Sequence, residues 1–163
     1  MGQYDRYLFE PAHVRMTTKK TQEVIFNGLF TVGSDAFGHA INIGHQFITR
    51  PFVSDNPAHT HNFQEYLAWY GSNPDDPSEF EAKIHLYFGP EQELHVITQP
   101  TVVWFPPGLV HCPLEIVHVD KPIIQLEIMI PPLDGAEPTR EPYFAKDADF
   151  TTEGTVDFEV FPL

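Results

Sequence analysis

Two histidines stand two residues apart in the segment 57–66, which reads PAHTHNFQEY. On a β-strand, residues i and i+2 point to the same side, so His59 and His61 can offer two imidazoles to one cation. Glu65 follows after a short turn and can add a carboxylate oxygen. A helix is the alternative, because His61 and Glu65 stand four residues apart. Pro57 and the nearby aromatic residues favour the strand.

A third histidine, His111, follows an apolar segment and a turn. Residues 101–105 are β-branched or aromatic, and the prolines and glycine at 106–108 predict a tight turn. Such a turn projects His111 from a fixed corner at the start of the next strand. Among nine histidines in 163 residues, chance alone gives roughly 0.5 His-x-His pairs, so the first segment is weak evidence by itself.

Together the two segments resemble the two motifs of the cupin superfamily, G(X)5HXH(X)3,4E(X)6G and G(X)5PXG(X)2H(X)3N. The residues that match these motifs are His59, His61 and Glu65 in the first and Pro106, Gly108 and His111 in the second. The positions that depart from the motifs, none of them a ligand position, are Val53, Gly71, Pro100 and Glu115. The departures therefore concern turn geometry and leave the ligand positions intact.

The resemblance spans roughly residues 40–131 and implies an all-β, cupin-type jelly-roll β-barrel. It also implies one divalent metal ion held by His59, His61, Glu65 and His111. Imidazole and carboxylate ligands favour Fe, Mn or Ni, with Zn or Co possible, and the missing thiolates argue against a structural zinc site. The single motif pair is similar to that of monocupins, which implies a homodimer.

The elements that must position these residues are short strands, because 16 prolines and 10 glycines leave little room for long helices. Predicted strands are 24–30, 40–52, 66–70, 83–88, 94–98, 101–105, 114–119 and 123–130. We expect one domain over residues 1–163, with a barrel core at about 24–131 and short N- and C-terminal extensions. Residues 133–163 are expected to form a surface tail whose apolar anchors are Tyr143, Phe144, Phe150, Phe158 and Phe161.

Four further residues are candidates for the substrate pocket. His45 precedes the first motif on a long strand. Trp69 is four residues from Glu65, so on an unbroken strand both side chains point to the same face. Gln125 and Glu127 alternate with aliphatic residues, so one face of their strand is polar and lies against either solvent or a pocket. Cys112 follows His111 and is expected to be a buried structural thiol that faces away from the metal.

Composition excludes several classes of partner. With 9 Lys+Arg against 23 Asp+Glu the net charge is −14, and the chain lacks the basic clusters that bind nucleic acid or anionic membranes. It shows neither a signal peptide nor an apolar run near the roughly 20 residues of a membrane span. A single cysteine means that folding needs no disulfide, so a cytoplasmic setting is expected.

The resulting hypothesis is a metal-dependent enzyme for a small, oxygen-bearing organic molecule. A dioxygenase, and hence an oxidoreductase, comes first, and an isomerase or lyase comes second. The sequence names no general base, beyond His45 or Glu127 as guesses. A non-catalytic cupin that binds a small molecule or is structural is the alternative, and an inert barrel with core histidines is the third possibility.

Overall fold

The computed structural model describes residues 3–18, 21–33, 38, 40–54, 57–142 and 156–161. A 3-10 helix spans Asp5–Tyr7, and thirteen strands follow it. They are β1 (Ala12–Thr18), β2 (Val24–Val32), β3 (Asn42–Ile48), β4 (Phe52–Val53), β5 (His59–His61), β6 (Gln64–Gly71), β7 (Ala82–Phe88), β8 (Glu93–Ile97), β9 (Thr101–Phe105), β10 (His111–Val119), β11 (Ile123–Ile130), β12 (Arg140–Pro142) and β13 (Val156–Phe161). A search of the described residues finds no helix with the length and apolar character to cross a membrane.

The strands form two antiparallel sheets. The larger sheet has the order β13-β1-β2-β3-β11-β6-β9, and the smaller has the order β12-β5-β10-β7-β8, with β4 paired to β10. This architecture confirms the all-β fold predicted from the sequence, and its two antiparallel sheets agree with a jelly roll.

The hydrophobic core lies between the two sheets. Its largest fully buried side chains include Trp69 and Phe105 from the larger sheet and Ile84, Leu86 and Ile116 from the smaller. Each such side chain contributes roughly 1.5 to 3 kcal/mol by leaving water. This packing holds the sheets together and fixes the strands that carry polar residues inward.

Each of the eight predicted strands overlaps an observed strand. The helical alternative for His61 and Glu65 does not form, because His61 ends β5 and Glu65 lies on β6. The prediction omitted β1, which the structure places inside the larger sheet between β13 and β2. Within the expected surface tail, β12 and β13 are strands. Tyr143, Phe144 and Phe150 lie outside the described residues, and only the backbone is described at Phe158 and Phe161.

The two faces of the larger sheet differ in composition. Gln46 on β3 pairs with Gln125 on β11, which pairs in turn with Trp69 on β6, and all three side chains lie on the inner face. The intervening rows point outward and carry exposed apolar side chains, here called the apolar outer face: Leu29, Ile43, Phe47, Val102 and Trp104. The polar row thus faces the interior, whereas the apolar rows face away from it.

Candidate metal centre

Three strands from both sheets bring the motif residues together. His59 and His61 lie on β5 with their side chains buried, and His59 pairs in register with His111 at the start of β10. Glu65 comes from β6 of the facing sheet, where it lies opposite Phe105. The candidate site therefore lies between the sheets, and each residue predicted as a ligand is buried there.

The turn between β9 and β10 has the geometry that its sequence predicts. The Leu109 N–H donates to the Pro106 carbonyl at 3.2 Å, and Gly108 has φ +81°, as the third position of a type II turn requires. A side chain with a Cβ rarely adopts that φ, which explains the glycine. The Gly108 N–H also donates to the His61 carbonyl at 2.8 Å, so the turn is tied directly to β5.

A backbone carbonyl fixes the orientation of each imidazole. The Nδ1–H of His59 donates to the Pro57 carbonyl at 2.8 Å, that of His61 to the Phe63 carbonyl at 2.7 Å, and that of His111 to the Leu109 carbonyl at 2.9 Å. With Nδ1 carrying the proton, the neutral ring has its lone pair on Nε2. This is the arrangement that metal-binding histidines use.

The free Nε2 atoms converge on the Glu65 carboxylate. Its Oε2 lies 3.0 Å from Nε2 of His61 and 3.7 Å from Nε2 of His111. Within the described part of the chain, the buried Nε2 of His111 has no hydrogen-bond partner. Lone pairs that face a carboxylate this closely repel it unless a proton or a metal cation lies between them, and one metal ion would satisfy all of these atoms.

One atom from each of the three histidines forms a group that could hold a metal ion, and these three atoms lie within 4.8 Å of one another. Aromatic neighbours support the rings, since Phe63 stacks on His61 with centroids 4.0 Å apart and Phe105 lies 4.4 Å from His111. The donor set, the orphaned nitrogen and the packing thus fit a divalent transition metal. The fit rests on three imidazoles and one adjacent carboxylate.

Electrostatics keep the donors in their ligand forms. Burial, with a smaller contribution from the nearby Arg140 charge, lowers the pKa of His59 to about 4. Burial alone would raise the pKa of Glu65, but the contacts with His111 and His61 outweigh it and lower that pKa to about 2. At neutral pH, His59 is therefore neutral and Glu65 is ionised.

A cavity of about 820 Å³ adjoins the histidine cluster. Gln125 and Glu127 line it, so the polar face of β11 lies against a pocket. Trp69 is fully buried behind this wall, where its Nε1–H donates to Oε1 of Gln125 at 2.8 Å. His45 points to the opposite face of the sheet, beside Phe47 at 5.3 Å between ring centroids, so its expected place in the pocket is corrected.

Glu127 is half-buried on the cavity wall between Gln125 and Met129. Burial, reinforced by the negative charge of Glu65, raises the pKa of Glu127 to about 7, although Arg140 and a hydrogen bond from Gln46 oppose the shift. Glu127 can therefore hold or release a proton near neutral pH. Of the two residues considered as a general base, His45 and Glu127, only Glu127 lines the cavity.

Cys112 lies on the cavity wall, whereas strand alternation predicted that it faces away from the metal. The register of β10 shifts between His111 and Leu114, and Cys112 has φ +75°, so alternation fails at this point. Burial raises the pKa of the thiol to about 12, which keeps it protonated. The predicted role as a buried thiol agrees with this state.

The cavity residues that sequence reasoning missed include Gln46 and Arg140. Gln46 lies on β3, one residue from the His45 that was chosen, and Arg140 lies on β12, where it pairs in register with His61. The side chain of Asn62 helps to place that segment, since its Oδ1 accepts from the Thr139 N–H at 2.7 Å. The inward parity of Gln46 was a readable signal, but nothing local in the sequence marks Arg140.

No protein-family model matches the chain, and no curated protein matches it. Similar solved structures include the polyketide cyclase RemF from Streptomyces resistomycificus, with TM-score 0.49, 10% identity, and coverage of 88% of this chain and 81% of that chain. Oxalate decarboxylase from Bacillus subtilis has a TM-score of 0.47 and 11% identity, and the match covers 80% of this chain and 31% of that chain. A cupin-superfamily sugar phosphate isomerase from Silicibacter pomeroyi has a TM-score of 0.41 and 18% identity, and the match covers 64% of this chain and 59% of that chain. This chain therefore spans less than two thirds of the length of the last two proteins. The likeness concerns the fold alone.

Proposed function

We propose that the protein is a mononuclear metal-dependent enzyme whose ligands are His59, His61, Glu65 and His111. The observation that carries this proposal is the cluster of three buried histidines, two of whose Nε2 atoms face the Glu65 carboxylate, with every Nδ1 held by a carbonyl. The adjoining cavity of about 820 Å³ is within the usual range for small-molecule sites. The substrate is a small organic molecule with oxygen donors.

Fe, Mn or Ni is the proposed metal, with Zn or Co as alternatives, because neutral imidazoles and one carboxylate suit all five. When bound, such an ion supplies Lewis-acid polarisation of a substrate oxygen or, as Fe(II), the activation of dioxygen. The chain itself orients the substrate against Gln125 and Glu127 and limits the access of water through the apolar cavity lining. A dioxygenase is the first reaction class in this proposal.

An isomerase or lyase is the second class, and Glu127 favours it. Both classes of reaction move a proton next to a polarised carbonyl, which requires a group that titrates near the working pH. The pKa of Glu127 is about 7, and its carboxylate lines the same cavity as the three histidines. In this version Glu127 accepts the substrate proton and returns it.

The test begins with the metal content of protein purified without chelator or nickel resin. We expect one equivalent of a transition metal, together with substrate-dependent oxygen uptake in a panel of catechols, keto acids and thiols. A bound metal without oxygen uptake would redirect the assignment to isomerase or lyase chemistry, with hydroxy acids and sugars as the next panel. Binding without turnover in both panels would favour a non-catalytic cupin, and the absence of metal would refute the site.

We also propose that the protein is a homodimer that uses the apolar outer face. Trp104 and Val102 are 54% and 60% exposed, a larger exposure than monomeric proteins usually give to clustered apolar side chains. The outward rows of β3, β11, β6 and β9 contain no charged residue, although the chain carries a net charge of −14. A second copy can approach along this face with the least charge repulsion.

A cytoplasmic setting belongs to the same proposal. The chain has one cysteine, Cys112, and it is a free, buried thiol. The fold thus makes no use of an oxidising compartment. Fractionation of the native cells, with detection of the protein in the cytosolic fraction, tests this setting, and recovery in a secreted fraction would contradict it.

A further inference from the structure

We propose that Gln46 is a recognition residue for a hydroxyl group of the substrate. The molecule bound in the cavity would then carry, besides the oxygen atoms that face the metal, a separate O–H group that donates to Oε1 of Gln46. This inference rests on the proposed function, because it specifies the substrate class of the same cavity.

The observation behind this proposal is an unpartnered acceptor. Gln46 is 1% exposed and lines the cavity, and its Oε1 has no hydrogen-bond partner among the residues that the structure describes. Leaving a buried acceptor unpaired costs free energy. A donor on the ligand would remove that cost, so the amide selects for a ligand that has one.

The surroundings of Gln46 hold its amide in place. The other end of the amide donates to the Glu127 carboxylate, which leaves the carbonyl oxygen for a ligand. Glycines flank it on the inner face: a Cβ at Gly44 would collide with Nε2 of Gln46, and one at Gly28 would come within 3.0 Å of its Cγ. Side chains at either position would displace the glutamine, so the local sequence keeps room for this one orientation.

Gln46 also lies in line with the candidate metal centre. Glu65 on β6, Glu127 on β11 and Gln46 on β3 form a diagonal on the inner face, in which each step crosses one strand and two residues. Strand spacing and residue rise give about 8 Å between Cα atoms for each step. A ligand that contacts both ends is therefore larger than a two-carbon or three-carbon acid, which suits a cavity of about 820 Å³.

The Gln46 acceptor does not require a cationic donor. Arg140 lines the same cavity as Glu65 and Glu127, so the lining carries charges of both signs. An amide carbonyl accepts from a hydroxyl without any change in charge. A hydroxylated molecule with a metal-chelating end is thus the substrate class that the cavity fits.

The test uses three matched series of alkyl hydroxamates of increasing chain length, which share a metal-chelating head and end in a hydroxyl, a methoxy or a methyl group. Titration calorimetry is carried out on the metal-containing wild-type protein. For the chain length that spans the cavity, we expect the hydroxyl compound to bind roughly tenfold more tightly than its methyl counterpart. The methoxy compound cannot donate a hydrogen bond and is expected to behave like the methyl compound.

Two variants locate the effect. Gln46→Met keeps the volume and removes both polar atoms, and we expect it to abolish the hydroxyl preference while metal content stays unchanged. Gln46→Asn, which withdraws the amide from the ligand, serves the same purpose if the first variant does not fold. Gln99→Leu, at an exposed glutamine away from the cavity, is the control and should keep the preference.

The outcomes separate this inference from the proposed function. Equal affinities of the hydroxyl and methyl compounds for a metal-containing wild-type protein would overturn the role of Gln46 and leave the metal site standing. A methoxy compound as tight as the hydroxyl compound would show that Gln46 Oε1 is not the acceptor. A protein without metal that binds none of the hydroxamates would overturn the proposed function and this inference with it.

Discussion

Near the candidate site, the two faces of the seven-stranded sheet depart from the usual distribution of polarity. The inner face carries Glu65, Glu127 and Gln46 beside a cavity, whereas the outer face exposes Phe47 and Trp104. Buried polar groups cost free energy unless they have partners, and exposed apolar clusters cost free energy unless they are covered. The difference teaches that the two faces suit different partners: under the proposals above, the inner face takes a metal ion and a polar ligand, and the outer face takes a second copy of the chain.

The largest expected effect is the loss of metal affinity when the Glu65 carboxylate on the inner face is neutralised. Glu65→Gln keeps the shape of the side chain but removes the negative charge next to His61 and His111. We expect metal affinity to fall roughly 100-fold, since even residues one shell further out often contribute 10-fold to 100-fold. Competition with a fluorescent chelator measures this change.

Glu115→Gln is the matched control, because Glu115 lies on β10 against His85 and Tyr87 and does not line the cavity. It should leave metal affinity unchanged. Equal affinities of the wild type and Glu65→Gln would remove Glu65 from the proposed ligand set.

The next effect tests the outer face. Trp104→Glu replaces an exposed aromatic side chain of the apolar outer face with a charge, and we expect it to weaken the dimer roughly 30-fold, as the loss of an aromatic hot-spot residue does. Sedimentation equilibrium of the variant and the wild type measures the change. Val117→Glu, at a residue that is also exposed but belongs to the smaller sheet, should leave the dimer intact. A wild-type protein that is monomeric at every concentration would refute the assignment of this face.

A smaller effect concerns pH and the inner face again. The folded pKa of Glu127 lies near 7, above the value of 4.5 for a free glutamate, so the folded state binds its proton more tightly than the unfolded state does. Stability from this group is therefore fully present below about pH 4.5 and is lost as the pH rises towards 7. Glu127→Gln does not titrate, so its stability relative to wild type should rise by about 1 to 2 kcal/mol between pH 5 and pH 8.

Urea unfolding of both proteins across this pH range, at matched metal content, gives the comparison. A constant difference in the free energy of unfolding would show that Glu127 titrates normally and would remove it as a proton-transfer group. Glu93→Gln, at an exposed glutamate that contacts His95 outside the cavity, is the control and should follow wild type with a pH difference well below 1 kcal/mol.

Much of the fold could be predicted from the sequence, because prolines and glycines mark the turns and β-branched residues fill the strands between them. The turn at 106–108 was predictable in detail, and Gly108 has the positive φ that its motif position suggests. β1 was missed because nothing local distinguishes the segment 12–18 from an extension until β2 and β13 pair with it.

The candidate site was predictable only where ligand spacing marks it. The ordered motifs identified the three clustered histidines, but His45 was placed on the wrong face because Ile43 and Phe47, which share its parity, look like core residues. Gln46, which has the opposite parity, faces the interior beside Gln125 on the cavity wall. Hydrophobic alternation shows that a strand has two faces, but it does not show which one is inside when polarity is reversed.

The central claim is that the histidines of the inner cluster bind a metal and that a histidine on the other face of the larger sheet does not. The most direct measurement is the metal content of His111→Ala and His45→Ala, purified in parallel with wild type without chelator or nickel resin. The account predicts one equivalent of metal in the wild type and in His45→Ala, and a loss of at least about tenfold in occupancy in His111→Ala. Full metal content in His111→Ala, or an equal loss in both variants, would contradict it.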